Sequence, residues 1–222
     1  FPIEDFEEKI QIYKPKLIFI CNPNNPTGTV LKADKILELA NKNKDSIIVI
    51  DELYEKFYGD SVLPKTNFEE INNIVVIQSL SKTAGLAGLR MGFAFGNKEI
   101  IKYINKVTGP YDVNSFAVKA TMAALKDQKY IDDYIFEVKK ARNWIKAKFE
   151  SLNIRYNFNG GNYFLIWPNK EPKLLIKEMK NNGILIRNMN NKKNIENSIR
   201  VSIGTTKQMQ FFWEKFLKLE IS

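Results

Sequence analysis

The hydrophobic positions of this chain follow one pattern in its first half and another in its second. Three short apolar runs in the first half contain no polar residue: Leu17 to Ile20, Ile47 to Ile50, and Ile74 to Ile77. Runs of this length are typical of parallel strands that are covered on both faces. Ile36, Leu39 and Ala40 lie at helical spacing between the first two runs. The pattern predicts an α/β unit, in which Met91 to Gly96 forms a further strand.

From about Asn114 onward, the apolar positions follow the 3.6-residue period of helices. Two helices are indicated, the first by Phe116, Ala120, Ala123 and Ala124, and the second by Ile131, Tyr134, Val138, Ala141, Ile145 and Phe149. After residue 150 the pattern alternates between strands and helices. Strands are predicted at 162–167, 184–187 and 199–203, and helices around 174–179 and 209–216. This part of the chain therefore predicts a small α+β unit.

Polar segments follow each of the three apolar runs: Asn22 to Gly28, Asp51 to Tyr54, and Ser79 to Arg90. Open α/β sheets bind ligands at the carboxyl ends of their strands. Because all three segments leave from that end, we expect them to meet at one edge of the sheet. This edge is the predicted functional site.

Lys82 carries the most distinctive chemistry of this edge. Its amine can form a Schiff base with a carbonyl cofactor if burial and neighbouring charge lower its pKa. Ser79, Ser81 and Arg90 are typical ligands of a phosphate group. Each feature also has a structural explanation: Lys82 as a surface lysine, the serines and Asn-Pro-Thr-Gly as turn residues, and Asp51 as a helix N-cap.

The polar segments, together with Arg200-Val201-Ser202-Ile203-Gly204, resemble in content and order the fold-type I pyridoxal-phosphate enzymes of the aspartate aminotransferase superfamily. Pro110-Tyr111-Asp112-Val113-Asn114-Ser115 and Gly183-Ile184-Leu185-Ile186-Arg187 are most similar to the histidinol-phosphate aminotransferases. The resemblance covers nearly the whole chain. It implies the C-terminal part of that fold: a mostly parallel sheet with helices, plus a small α+β C-terminal domain.

The resemblance also implies three divisions of the chain. Residues 1–105 would be the remaining part of the large cofactor-binding domain, 106–150 the interdomain helices, and 151–222 the small domain. Family members normally have an N-terminal portion with a Gly-rich loop that helps to hold the cofactor phosphate. We therefore expect either a C-terminal fragment or a naturally truncated protein.

Residue roles follow from the same resemblance, with pyridoxal 5′-phosphate as the cofactor. Lys82 would form the Schiff base and act as the general base, and Asp51 would keep the pyridine nitrogen protonated. Asn25 and Tyr54 would donate hydrogen bonds to the 3-hydroxyl oxygen of the cofactor. The cofactor phosphate would be bound by Ser79, Ser81 and Arg90.

Two arginines are implied for the substrate. Arg200 resembles the arginine that binds the substrate carboxylate in most aminotransferases and the substrate phosphate in the histidinol-phosphate branch. Strand periodicity places Arg200 and Ser202 on the face opposite Ile199, Val201 and Ile203. Arg187 resembles a second arginine of that branch, and Asn162 would approach the substrate. An exposed arginine at a strand end is the alternative for both arginines.

The predicted function is transamination between histidinol phosphate and 2-oxoglutarate, a reaction of histidine biosynthesis. Threonine-phosphate decarboxylation is an alternative, because those enzymes have the same scaffold and a phosphorylated substrate. Another amino-acid aminotransferase, or a non-catalytic truncated fragment, are further alternatives. The resemblance implies a homodimer in which each site borrows groups from the partner.

Composition limits the other classes of function. The net charge of the 222 residues is +9, but the lysines are interspersed with acidic residues and form no Arg-rich arm. This pattern favours a solvated surface over a nucleic-acid interface. The chain has no histidine, which excludes His triads and His metal sites, and we expect no metal. The single cysteine, Cys21, and the lack of a membrane-length apolar run indicate a reducing compartment, the cytoplasm, and no membrane partner.

Overall fold

Two four-stranded sheets form the framework of the computed structural model, which describes residues 1–221. The first sheet has the order β1-β2-β3-β4, with β1 at Leu17–Cys21, β2 at Ile47–Asp51, β3 at Ile74–Gln78 and β4 at Phe93–Gly96. The first three strands are parallel, and β4 is antiparallel to β3. The sheet is therefore mixed but mostly parallel, and its strands lie where the apolar runs predict them.

The second sheet is antiparallel and has the order β5-β6-β8-β7. Its strands are β5 at Tyr156–Asn157, β6 at Tyr163–Ile166, β7 at Arg187–Asn188 and β8 at Ile199–Ser202. All four residues of β6 are buried, so this central strand is covered on both faces. In β8, Ile199 and Val201 are buried whereas Arg200 is half-buried and Ser202 is exposed, as the period of two predicts.

The described residues form eight α-helices: α1 (Ile3–Tyr13), α2 (Ala33–Lys42), α3 (Glu55–Tyr58), α4 (Lys98–Asn105), α5 (Ser115–Lys126), α6 (Gln128–Ser151), α7 (Pro172–Asn181) and α8 (Thr206–Ile221). Short 3-10 helices occupy Leu63–Lys65 and Ala87–Leu89. In α2, the stripe of Ile36, Leu39 and Ala40 is fully buried under the first sheet. None of these helices is long and apolar enough to cross a membrane.

Two sequence expectations about these elements are wrong. In β1, only one face is covered: Ile18 and Ile20 pack into the core, but Phe19, whose side chain points to the opposite face, is 64% exposed. In α5, the buried positions are Ala117 and Thr121, and Phe116 is 85% exposed. The helix predicted here is therefore present; of the residues that indicate it, Ala120 and Ala124 are half-buried, whereas Phe116 and Ala123 are exposed.

The second difference concerns the predicted strand 184–187. Strand pairing begins only at Arg187, because the chain leaves α7 through a left-handed turn at Gly183, with φ of +77°. The Ile184 amide donates to the Met179 carbonyl at 2.9 Å and so completes the end of the helix instead of joining the sheet.

The second sheet, α6 and α8 enclose an aromatic core. The Phe149 ring lies 5.3–5.8 Å, centroid to centroid, from four other rings: Phe158, Phe164, Trp213 and Phe216. Tyr54 and Phe57, which follow β2, are buried in this same core. Because residues that follow the first sheet pack into the core of the second, the two sheets hold Tyr54 in a fixed place between them.

The turn between β5 and β6 docks onto the loop at Asn22 to Gly28. The Gly160 amide donates to the Gly28 carbonyl at 3.0 Å, and the Asn157 Nδ2 amide donates to the Thr27 carbonyl at 2.8 Å. A Cβ atom at Gly160 would lie 2.3 Å from Pro23 Cβ, so only glycine permits this approach. The second sheet is thereby attached directly to the predicted functional edge of the first.

Candidate active site

Lys82 lies in the turn after β3, at the carboxyl edge of the first sheet. Together with Ser79, Ser81 and Arg90 it lines a cavity of about 350 Å³. Small-molecule sites usually measure about 300–1,000 Å³. Ser79 Oγ also accepts a hydrogen bond from the Ser81 amide at 3.2 Å, so this serine stabilises its turn as well. The cavity brings together one amine, two hydroxyl groups and one guanidinium group.

Arg90 has an unusual backbone conformation, with φ of 55° in the left-handed region. A residue other than glycine is strained there, by about 1 kcal/mol or more, and such strain is concentrated at functional sites. The guanidinium group donates from NH1 to the Ala87 carbonyl at 3.2 Å and is otherwise exposed. Arg90 therefore lines the cavity with an exposed side chain.

Asp51 ends β2 and is directly opposite Cys21 of β1. Its Oδ1 atom accepts a hydrogen bond from the Leu53 amide at 3.0 Å, whereas the N-cap of α3 is Tyr54. The carboxylate thus closes a local turn and does not cap the helix. It lines a second cavity of about 230 Å³, whose wall includes Leu53, Ser79 and Gly92. These three residues also line the Lys82 cavity, so Asp51 and Lys82 lie on adjoining spaces.

Tyr54 is 3% exposed and lies between the two sheets. The Asn25 Nδ2 amide donates a hydrogen bond to its hydroxyl group at 3.2 Å. Burial raises the pKa of Tyr54, and the nearby positive charge of Arg200 only partly opposes this effect. The hydroxyl group is therefore protonated at neutral pH and can act as a hydrogen-bond donor to an anionic oxygen.

Arg200 of β8 approaches this pair from the second sheet. Its guanidinium group lies over the ring of Tyr163, with the Cζ atom 4.2 Å from the ring centroid. The Tyr163 ring in turn lies edge-on to Tyr54, at 5.2 Å and 84°. The Arg200 Nε–H is buried and has no hydrogen-bond partner among the described residues. A buried, unsatisfied cationic donor of this kind is suited to an anionic ligand.

Arg187 of β7 is directly opposite Arg200 in the antiparallel register, and it is exposed. Residues directly opposite each other in such a pair have their side chains on the same face of the sheet. The structure therefore brings the two predicted substrate arginines together.

Asn162 precedes β6 and is half-buried. Its backbone carbonyl accepts a hydrogen bond from the Ile203 amide at 2.8 Å, which fixes its backbone against β8. Its side chain makes no hydrogen bond within residues 1–221. The structure thus does not join Asn162 to the other predicted site residues through such a bond.

Two functional residues of this region, Tyr163 and Arg142, cannot be recognised from the sequence pattern. Tyr163 is 2% exposed, and its hydroxyl group donates to the Asn24 carbonyl. Arg142 of α6 donates from NH2 to the Gly161 carbonyl at 2.7 Å and from NH1 to the Phe57 carbonyl at 3.3 Å. Burial lowers the pKa of Arg142. The only signal in the sequence is the Gly160-Gly161 pair before Asn162, which indicates a close backbone approach.

The residues present fit pyridoxal phosphate. The hydroxyl and guanidinium groups of the Lys82 cavity suit a phosphate, and its amine suits a carbonyl group. Asp51 supplies a carboxylate on the adjoining cavity, and Tyr54 supplies a protonated phenol. Among residues 1–221, no group of three or more His, Cys, Asp or Glu side chains is arranged to hold a metal ion.

Comparison with known proteins places the chain in a family. The family model "Aminotransferase class I and II" matches residues 2–216. Among curated proteins, the histidinol-phosphate aminotransferase of Caldanaerobacter subterraneus subsp. tengcongensis is 32% identical over 206 residues. That match covers 93% of this chain and 58% of the relative. The chain thus spans less than two thirds of the length of the curated relatives it matches.

Solved structures have the same fold. The histidinol-phosphate aminotransferase from Clostridium acetobutylicum matches with a TM-score of 0.90 and 24% identity, over 100% of this chain and 68% of that protein. The L-threonine-O-3-phosphate decarboxylase from Porphyromonas gingivalis matches with a TM-score of 0.79 and 25% identity. It covers 93% of this chain and 65% of that protein.

Proposed function

The chain belongs to the class I and II aminotransferases, and on that premise we propose that it transfers the amino group of histidinol phosphate to 2-oxoglutarate. Membership of this family confirms the predicted fold and the predicted cofactor class, pyridoxal 5′-phosphate. Curated relatives named histidinol-phosphate aminotransferase, at about 32% identity, support the substrate.

Residues of the first sheet would hold the cofactor. Ser79, Ser81 and Arg90 bind its phosphate, and Lys82 attaches it through the amine. Asp51 stabilises a positive charge at the ring nitrogen, and the Tyr54 hydroxyl donates to the ring oxygen. In this structure the Asn25 amide donates to Tyr54, so we propose that it orients this phenol in addition to contacting the cofactor. When bound, the cofactor accepts the electrons left at the substrate Cα after a proton is removed.

The chain's own contribution to the reaction is then positioning and proton transfer. The Lys82 amine moves the proton at the substrate Cα, which requires a base within hydrogen-bond reach on one side of the ring. Arg200 and Arg187 bind the distal anion of the substrate and so fix which Cα bond is presented to the cofactor. Asn162, which precedes β6, would approach the substrate.

The pairing of Arg187 with Arg200 across β7 and β8 is the observation that supports a phosphorylated substrate. Two guanidinium groups on one face can form charge-assisted hydrogen bonds to a dianion from both sides. Histidinol phosphate has a phosphate and no carboxylate, so it satisfies both arginines. For 2-oxoglutarate, the same arginines bind a carboxylate in the second half-reaction.

Threonine-phosphate decarboxylation is the second candidate, favoured by the structural match to a decarboxylase at 25% identity. Its substrate also carries a phosphate for the two arginines. The reactions differ in which Cα bond breaks, and the residues that hold the phosphate are the same in both. Lys82 and Asp51 would serve either reaction.

A substrate comparison tests the proposal. The protein is titrated with pyridoxal phosphate and followed by its visible absorption, and borohydride should then fix the cofactor mass on the peptide containing Lys82. Turnover of histidinol phosphate with 2-oxoglutarate should exceed that of threonine phosphate. Release of carbon dioxide from threonine phosphate, without amino transfer, would favour the decarboxylase instead. Failure to bind the cofactor at all would identify a non-catalytic fragment.

We also propose that the protein acts as a homodimer in the cytoplasm. The resemblance implies that each site is completed by groups from a second copy, and the exposed apolar residues of β1 and α5 are compatible with further contacts. Light scattering of the purified protein, with and without pyridoxal phosphate, tests the dimer.

A further inference from the structure

Tyr163 occupies a position between the two sheets that none of the proposed roles uses. Its hydroxyl group donates to the backbone carbonyl of Asn24, the residue before Asn25. The guanidinium carbon of Arg200 lies over the Tyr163 ring, 4.2 Å from the ring centroid. The Tyr54 ring lies edge-on to it, with the two ring centroids 5.2 Å apart. This side chain therefore contacts both the cofactor side and the substrate side of the candidate site.

The fold is shaped around this ring. A Cβ atom at Gly161 would lie 2.2 Å from Tyr163 Cε1, so the ring occupies space that only a glycine leaves free. Burial raises the pKa of the Tyr163 hydroxyl, which remains a donor to Asn24 throughout the physiological range. Because the hydroxyl group is held by this bond, the ring cannot swing away from Arg200 without breaking it.

The Arg200 side chain lies over the Tyr163 ring and interacts with the Tyr54 hydroxyl group. It takes part in no ion pair among residues 1–221, and its Nε–H is buried without a hydrogen-bond partner. An arginine side chain has many rotamers, and ordering it in advance reduces the entropy lost when a ligand binds. An aromatic face within about 6 Å attracts a guanidinium group and restricts its orientation.

We propose that Tyr163 is a positioning residue for the substrate anion: its ring holds the Arg200 guanidinium group in the orientation that binds the phosphate. The hydroxyl bond to Asn24 sets the distance between this anion site and the Asn25–Tyr54 pair. The inference rests on the proposed function, in which Arg200 binds the substrate phosphate. In this proposal the ring increases the affinity for the substrate and takes no part in the chemical step.

The test uses Tyr163→Leu, which removes the ring, and Tyr163→Phe, which keeps it. Phe212→Leu is the matched control, because this ring is also 2% exposed and lies in the same core, whereas the cation–π contact of Arg200 is with Tyr163. All proteins are loaded with pyridoxal phosphate, so that the cofactor phosphate site is filled. Inorganic phosphate is then titrated by calorimetry, and KM and kcat are measured with histidinol phosphate.

Loss of the ring should weaken phosphate binding and raise KM by about tenfold, the order expected for a partly buried cation–π contact. The value of kcat and the affinity for pyridoxal phosphate should stay within about threefold of the parent. Tyr163→Phe keeps the ring but loses the bond to Asn24, so it should weaken phosphate binding less than Tyr163→Leu does. Phe212→Leu should lower Tm and leave phosphate binding unchanged. If Tyr163→Leu does not fold, Gly161→Ala, which displaces the ring, should weaken phosphate binding in the same direction.

A double variant separates positioning from a general structural effect. In an Arg200→Ala background, Tyr163→Leu should cause no further loss of phosphate affinity, because the group that it positions is gone. Three results would overturn the proposal. The loss of phosphate affinity could be equal in both backgrounds, phosphate binding could be unchanged in Tyr163→Leu, or the parent protein could bind no phosphate. If phosphate binding behaves as expected but histidinol phosphate is not converted, the proposed function fails and the role of Tyr163 stands.

Discussion

Arg187 and Arg200 are directly opposite each other on the antiparallel strands β7 and β8. Like charges in this position destabilise a sheet by roughly 0.2–1 kcal/mol. Neither arginine takes part in an ion pair with a carboxylate of residues 1–221, so the protein itself does not neutralise them. A bound dianion would convert this repulsion into two charge-assisted contacts, and the arrangement thus favours ligand binding over stability.

The first prediction is that Arg187→Gln raises the stability of the ligand-free protein while weakening substrate binding. Removing the repulsion should increase Tm by roughly 1–2 °C, given about 2–4 °C per kcal/mol for a chain of this size. The KM for histidinol phosphate should rise about tenfold, since a charge-assisted bond is lost. Calorimetry and steady-state kinetics measure the two effects. A lower Tm together with an unchanged KM would mean that Arg187 is a structural residue.

The second prediction is that Lys82→Ala abolishes amino transfer. The amine that attaches the cofactor and the base that moves the Cα proton are both lost, and the base alone contributes about 100- to 10,000-fold. Lys82→Arg is the matched control: it keeps the positive charge, but a guanidinium group stays protonated and cannot replace the base. Both variants should therefore be inactive. Turnover by Lys82→Ala within about tenfold of the parent would contradict the assignment.

The sequence predicts the first sheet well, because its strands are continuous apolar runs with few alternative conformations. Helix α6 is equally clear, since Val138, Ala141, Ile145 and Phe149 are all fully buried on one stripe. Helix α5 is different: its apolar residues surround the helix, and the periodicity cannot show which face is buried. The helix itself is predicted correctly, but the sequence pattern does not indicate that Phe116 is exposed.

The candidate site shows the same limit. The residues at strand ends are visible in the sequence because their positions follow from strand order. Tyr163 is not visible in this way, because its role depends on an approach to Asn24, a residue 139 positions away in the chain. The pairing of Arg187 with Arg200 also depends on the register of β7, which the late start of that strand determines. Contacts between distant segments are therefore what the structure adds.

The third prediction is that Asp51→Asn keeps the cofactor bound but greatly reduces the rate. The amide can still accept the 3.0 Å hydrogen bond from the Leu53 amide, so the local turn should remain. It carries no negative charge, and the ring nitrogen loses the partner that keeps it protonated. Absorption titration should give a near-parental affinity, and kcat should fall by at least about 100-fold. Near-parental turnover would show that Asp51 only stabilises its turn.

The fourth prediction concerns the pH dependence of stability through Glu55 of α3. This side chain is 6% exposed, and burial raises its pKa above 4.5. The negative charge of Glu52 adds to this rise. The positive charges of Lys56, whose amine lies 3.7 Å from the carboxylate, and of Lys139 oppose it. Between the unfolded and folded pKa values the folded state binds more protons, so stability falls as the pH rises through this interval.

Glu55→Gln removes this titration. Its Tm relative to the parent should therefore increase as the pH rises from about 4.5 toward neutral, and should be constant at lower pH. Melting curves of both proteins in buffers of equal ionic strength measure the difference. A Tm difference that does not change between about pH 4 and 7 would argue against a raised pKa for this carboxyl group.

The last prediction distinguishes the two anion sites by paired substitutions. Arg200→Ala removes a charge-assisted contact of about 1.5–3 kcal/mol to the substrate, so kcat/KM should fall about ten- to a hundredfold while cofactor affinity is unchanged. Arg90→Ala should weaken cofactor binding first. Arg90→Gly should do so as well, yet raise the stability of the cofactor-free protein by about 1 kcal/mol, since φ of 55° is unstrained for glycine. Cofactor titrations, kinetics at saturating cofactor and chemical denaturation measure these effects. If Arg200→Ala binds the cofactor weakly but has parental kinetics at saturating cofactor, then Arg200 belongs to the cofactor site and the two anion sites have been exchanged in the assignment.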